Sequence, residues 1–229
     1  MADPLPRAAF ARLVADALSE DIGSGDVTTA ATVPRSARGH GELLAKSLAV
    51  VCGLDIAREV FRQVDPAIVC TFEKSDGDVC QPGDRIGVVE GPAAALLTAE
   101  RTALNFLQYL SGIATLARAY VVAAESRVTV LDTRKTTPGY RALAKYAARC
   151  GGVTNHRAGL FDGVLIKDNH IRLAGGIGAA VDLVRAGGGT LPIEVETQSL
   201  VQVREALEAR ADVIMLDNLD DAAMAEAIE

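Results

Sequence analysis

Four short apolar runs in the second half of the chain each end on charged or amide residues, with a stretch of helical spacing between most of them. Residues 128–131 stop at Asp132, and residues 163–166 run into Lys167, Asp168, Asn169 and His170. Residues 192–197 carry Glu194 and Glu196, and residues 211–216 end at Asp217 and Asn218. Short apolar runs with polar ends read as buried strands. The stretches 140–149, 179–186 and 199–209 are long enough to be crossover helices. Repeated strand–helix units with chemistry at each strand's C-terminal end argue for a (β/α) barrel. A doubly wound open sheet is the alternative.

The first half has another rhythm. Phe10, Leu13, Val14, Ala17 and Leu18 have helical spacing, and the glycine-rich stretch EDIGSGDVTT (residues 20–29) reads as a turn. Residues 39–52 suggest one or two strands, residues 53–64 a helix, and residues 69–90 strands joined by turns at 75–78 and 81–84. Pro92 fits the first turn of a long helix that Gly112 interrupts. The expected fold class is therefore α/β, with an α+β domain over residues 1–108 and a barrel domain over residues 109–229.

Composition narrows the function. A net charge of −7 argues against general nucleic-acid binding. No apolar run reaches the roughly 18 residues of a membrane span, and the N-terminus lacks a signal-peptide core. A cytoplasmic protein is expected. Cys52, Cys70, Cys80 and Cys150 show no CxxC spacing, so buried reduced thiols are expected rather than a zinc site or disulfides.

One segment reverses the charge balance. From Asp132 to Arg172, eight cations face three acids, a local net of +5. Arginine forks match carboxylates and phosphates, and lysine adds a mobile point charge, so this segment points to an anionic ligand. Arg141, Lys145 and Arg149 recur at every fourth residue and read as one solvated helix face. Arg134, Lys135 and Lys167 sit at strand ends, which converge in a barrel; a polyanion would relieve their repulsion. Glu196 and Asp217 stand at the next strand ends. They could hold Mg²⁺, orient Lys135 and Lys167, or stabilise a developing positive charge on a sugar. Glu194 lies deeper on the same face and reads as a structural ion pair. His156 abuts Arg157 and is either a ligand contact or an ordinary loop histidine. The glycine pairs at 175–176 and 187–189 read as turns.

Several of these segments together resemble one family. LDTRKTTPGY (131–140), KYA (145–147), CGG (150–152), NHRAGLFD (155–162), LIKDNHI (165–171), IEVE (193–196) and IMLDN (214–218) look like quinolinate phosphoribosyltransferase. EDIGSGDVTT (20–29) and ERTALNFL (100–107) agree, in collinear order. The resemblance implies an N-terminal α/β sandwich followed by an incomplete (β/α) barrel. It implies transfer of phosphoribosyl from phosphoribosyl pyrophosphate to quinolinate with Mg²⁺, giving nicotinate mononucleotide, pyrophosphate and CO₂ in de novo NAD synthesis. It also implies a homodimer, with no nucleic-acid or membrane partner. By motif, Arg134, His156, Arg157 and Lys167 resemble the quinolinate-binding cations, and Lys135 lies between the substrates. Thr133 resembles a further substrate contact, and Glu196 and Asp217 resemble the acids facing ribose and metal. Arg101, which reads as a solvated surface charge, resembles the arginine that a neighbouring subunit inserts. The chain departs from the family pattern after Asp217, where members continue through further strand–helix units carrying a phosphate-binding loop. A fragment of such an enzyme, or an inactive truncated chain, is one alternative. A paralogue using another anionic base, such as a molybdenum-transport-associated relative, is the other.

Overall fold

In the computed structural model, which describes residues 3–228, the chain forms two compact units. The first runs to His156 and the second begins at Arg157.

The first unit contains α1 (Ala11–Ile22), α2 (Val27–Thr32), β1 (Arg38–Leu44), β2 (Ala49–Val50), α3 (Leu54–Val64), β3 (Val69–Phe72), β4 (Val79–Cys80), β5 (Arg85–Pro92), α4 (Ala93–Ala123) and α5 (Arg141–Cys150). Strands β1, β5 and β3 form an antiparallel sheet with β5 central, and β2 pairs with β4. Alternation puts Val89 and Leu43 inward. Phe10, Val14, Leu18, Ile56, Val60, Phe61, Phe106 and Leu110 complete one core with Leu143, Tyr146 and Ala147 of α5.

Residues 20–29 are not simply a turn: α1 runs on to Ile22, and Asp26 caps α2 by accepting from the Thr29 amide at 2.9 Å. Gly112 does not interrupt α4, because Ala99, Ala103, Leu107, Leu110, Ala114 and Ala117 bury one continuous face that holds the helix through it. Pro92 both ends β5 and forms the N-cap of α4, one residue before its first turn. By length and composition α4 could cross a membrane; it packs one face against α3, α5 and the strands.

Residues 128–131 are not a buried strand. They make one parallel bridge, Leu131 to Thr154, and Leu131 is 51% exposed. Only Val130 turns inward, against Ala117, Ala148 and Val153. A four-residue run with a pairing partner on one side forms an edge, and an edge leaves alternate side chains in solvent.

A carboxylate that the sequence did not reveal organises the start of the first unit. Glu59 is buried and accepts from Arg7 at 2.9 Å, from Arg62 at 2.7 Å and from Gln63 at 2.8 Å. These donors, Arg62 above all, hold its carboxyl well below the usual carboxylate range. The four cysteines are free thiols; Cys52, Cys80 and Cys150 are buried and Cys70 is half-buried. The Cys52 thiol is pushed up by its hydrogen bond to Cys150 and by burial, and that same bond holds Cys150 down.

The second unit contains β6 (Val164–Ile166), α6 (Asp168–Ala174), α7 (Ile177–Ala186), β7 (Ile193–Thr197), α8 (Leu200–Glu208), β8 (Val213–Leu216) and α9 (Asp221–Ile228). Strands β6, β7 and β8 are parallel and adjacent in chain order. That is the winding of a barrel, with no reversal of strand order as in a doubly wound sheet. Ile193, Val195 and Thr197 are buried on one face, where Ile177, Val181 and Ala206 cover the aliphatic pair. Gly175 ends α6 with φ of 90°, a conformation that favours glycine, and Gly176 starts α7.

Candidate active site

In the first unit, the candidates Thr133, Arg134 and Lys135 lie on the loop between residue 131 and α5. Its two ends are fixed and its middle is open. At the front, Asp132 is clamped. Lys145 donates to its Oδ1 at 2.5 Å, Asn155 Nδ2 donates to Oδ2 at 2.6 Å, and the His156 amide donates to Oδ1 at 2.8 Å. Lys145 also donates to the His156 carbonyl at 2.8 Å, and Asn155 to the Lys145 carbonyl at 3.0 Å. At the back, Arg141 Nε donates to Thr136 Oγ1 at 3.2 Å, and the Tyr109 and Thr137 hydroxyls lie 3.1 Å apart.

Lys145 therefore does not belong to a solvated face. Its side chain is 7% exposed and that of Asp132 is 9% exposed. The every-fourth-residue spacing holds as geometry, but the face is not solvated at Lys145: α5 turns Leu143, Lys145, Tyr146 and Ala147 all away from water. The clamp presents Thr133, Arg134 and Lys135 between its two ends. Thr133 and Lys135 are exposed, and Thr133 Oγ1 accepts from the Lys135 amide at 3.1 Å. Among the described residues, neither the Arg134 nor the Lys135 side chain has an ion-pair partner, and Arg134 Nε is buried without a hydrogen bond. Arg101 is exposed on α4, with no ion-pair partner among the described residues.

In the second unit, the parallel register sets the site. Ile166 pairs with Val195, so Lys167 falls level with Glu196 on the neighbouring strand. Glu196 pairs with Met215, and Asp217 is two residues further along. Side chains alternate along a strand, so Glu196 and Asp217 share a face, with Glu194 below Glu196. Lys167 donates to Glu196 Oε2, closing an ion pair at the C-terminal ends of β6 and β7. Asp217 Oδ2 accepts from Asn218 Nδ2 at 2.8 Å and from Gln198 Nε2 at 3.3 Å. Asn218 has φ of 56°, a left-handed turn that asparagine tolerates and that redirects the chain immediately after Asp217. Arg157 Nη1 donates to the Gly163 carbonyl at 3.2 Å, and its Nε is buried with no partner. The unit thus brings Lys167, Glu196 and Asp217 to neighbouring strand ends, and the first unit holds Thr133, Arg134 and Lys135 on one clamped loop, to which the His156 amide bonds through Asp132.

Two carboxylates on adjacent strand ends suit a hard cation such as Mg²⁺, which is commonly held by one or two carboxylates together with substrate phosphates. Asp132, Lys145 and Asn155 were absent from the predicted site. All three stand inside the motifs, yet only the fold shows that one holds the other two.

A parallel α/β protein of barrel winding, with its charged groups at the strand C-termini, belongs to the class that binds ligands at that mouth. Comparison with known proteins gives the family. The family described as "Quinolinate phosphoribosyl transferase, N-terminal domain" matches residues 26–111, and "Quinolinate phosphoribosyl transferase, C-terminal domain" matches residues 113–229. A probable nicotinate-nucleotide pyrophosphorylase (carboxylating) of Bacillus subtilis is 46% identical over 201 residues, covering 87% of this chain and 69% of that one. A protein of the same description from Synechocystis is 43% identical over 214 residues, covering 93% and 72%. The solved nicotinate-nucleotide pyrophosphorylase of Francisella tularensis superposes with a TM-score of 0.94 at 40% identity, over 98% of this chain and 80% of that one. The chain belongs to the quinolinate phosphoribosyl transferase family.

Proposed function

We propose that this protein transfers phosphoribosyl from phosphoribosyl pyrophosphate to quinolinate and releases CO₂, forming nicotinate mononucleotide and pyrophosphate for NAD synthesis. The observation that carries this reading is the Lys167–Glu196–Asp217 arrangement on one face of β6–β8. A cation for a carboxylate substrate stands beside two acids suited to an electron-poor sugar. Membership in the family and the names of its relatives support it.

Each residue has a role in this reading. Arg134, His156, Arg157 and Lys167 bind the two carboxylates of quinolinate, with the arginine forks fixing orientation. Thr133 adds a hydroxyl contact. The clamp on Asp132 holds Lys135 between the substrates, where its ammonium meets the charge that develops as pyrophosphate departs. The pyridine nitrogen attacks the anomeric carbon while the bond to pyrophosphate breaks. Glu196 and Asp217 stabilise the cationic sugar across that step. Quaternisation makes the ring an electron sink, so the adjacent carboxylate leaves as CO₂ and the ring carbon takes a proton. Glu196 and Asp217 would hold Mg²⁺, directly or through water, and the ion would there offset the charge of pyrophosphate. The protein acts as a homodimer in the cytoplasm, with Arg101 of each subunit reaching the other's substrates. The exposure of Arg101 on α4 supports this.

The test is turnover. With quinolinate, phosphoribosyl pyrophosphate and Mg²⁺, the protein should yield CO₂ and nicotinate mononucleotide in equal amounts; no CO₂ would defeat the assignment. Arg101→Ala and Lys135→Ala, each nearly inactive, should recover roughly a quarter of wild-type turnover when refolded together, because about half of randomly mixed two-fold dimers carry one intact site. If the mixture stays inactive while dimers exchange, Arg101 acts within its own subunit or not at all.

A further inference from the structure

The proposed reaction leaves two buried thiols and a carboxylate unused. Cys52 lies just before α3, Asp76 lies in the turn between β3 and β4, and Cys150 ends α5. One ligand atom from each lies within 4.8 Å of the other two. Cys52 is 0% exposed and Cys150 4%. The carboxylate is fixed from behind: Asp76 Oδ1 accepts from the Gly53 amide at 3.0 Å and the Leu54 amide at 3.1 Å, and Oδ2 accepts from the Tyr146 hydroxyl at 2.8 Å. Gly53 turns into α3 with φ of 104°, which brings Cys52 and both amides to the same point. On the other side, a side chain at Gly151 would collide with the Ala114 carbonyl, so glycine there allows the end of α5 to close on α4 and seat Cys150. Three segments far apart in sequence thus bring sulfur, sulfur and oriented oxygen together. Metal ligands are held in this way, through hydrogen bonds that fix their direction.

We propose that Cys52, Asp76 and Cys150 bind one soft divalent cation of the zinc class. On binding, two S–H bonds break, two metal–sulfur bonds form, and two protons leave to solvent. One dication replaces two protons, so the buried charge is unchanged, and the metal–sulfur bonds offset the loss of the ion's hydration. Thiolates select such a metal over Mg²⁺, which separates this site from Glu196 and Asp217. The ion ties α3, the β3–β4 turn and α5 together, and α5 carries the Lys145 that clamps Asp132. The site does not depend on the transferase reading.

Both thiols are buried and Asp76 is half-buried, so the metal is supplied while the chain folds. The test is expression in cobalt-supplemented minimal medium, purification in excess Mg²⁺, and measurement of metal content and absorption. The expected result is one Co²⁺ per chain with sulfur-to-cobalt charge-transfer absorption. Cys150→Ser should abolish the band and Cys70→Ser should leave it intact. Tyr146→Phe, which leaves every ligand in place, should weaken affinity about 10- to 100-fold. Folded, reduced wild-type protein with no thiolate–cobalt absorption overturns the proposal, as does a band that survives Cys150→Ser.

Discussion

Lys135→Ala should lower turnover by about 10²- to 10³-fold while the protein folds as before. The magnitude is that of removing one positioned group that meets charge in a transition state. Lys135 is exposed, and its ammonium has no ion-pair partner among the described residues, so its loss removes no structural bond. Surface substitutions of that kind change stability by roughly 0.5 kcal/mol or less. Pyrophosphate and CO₂ release should fall together, because decarboxylation follows transfer. Steady-state assays of both products, with thermal unfolding as the control, check this. Full activity in Lys135→Ala would remove the residue from the mechanism.

Lys145→Met should destabilise the protein by about 3–5 kcal/mol. Removing one partner leaves the other charge buried and uncompensated, and breaking such a pair costs on that order. Methionine keeps most of the stem volume, so the loss reports the ammonium. Asn155 and the His156 amide still bond to Asp132, but both are neutral. The double variant Lys145→Met, Asp132→Asn should recover part of the loss, since it removes the orphaned charge as well. Denaturant unfolding of both variants measures this. A loss below about 1 kcal/mol for Lys145→Met would mean that the neutral donors alone hold Asp132.

The comparison of Lys135 with Lys145 shows what the sequence could carry. Both are lysines in one basic segment, ten residues apart. Lys135 stands out as a candidate in the sequence because it follows an apolar run and sits beside Arg134, and the structure leaves it exposed. Lys145 does not, because helical spacing gives faces without saying which one is buried. That choice was made by Asp132, a tertiary partner thirteen residues away. The strand–helix rhythm after residue 163 was readable because β6–β8 each show an apolar run with a polar end. Residues 128–131 show the same pattern and yet lie at an edge, since a run of four residues does not reveal how many neighbours it will pair with. Glu59 and the Cys52–Asp76–Cys150 group were invisible for the same reason: each joins segments that only the fold brings together.

The central claim is that this set of cations is built for two carboxylates rather than one. Isothermal titration of the protein with quinolinate and with nicotinate tests it most directly. The account predicts that quinolinate binds at least about tenfold more tightly, a difference of roughly 1.4 kcal/mol from charge-assisted contacts to the second carboxylate. That preference should shrink in Arg134→Ala. Equal affinity for the two pyridines, or a preference that Arg134→Ala leaves untouched, would contradict the account.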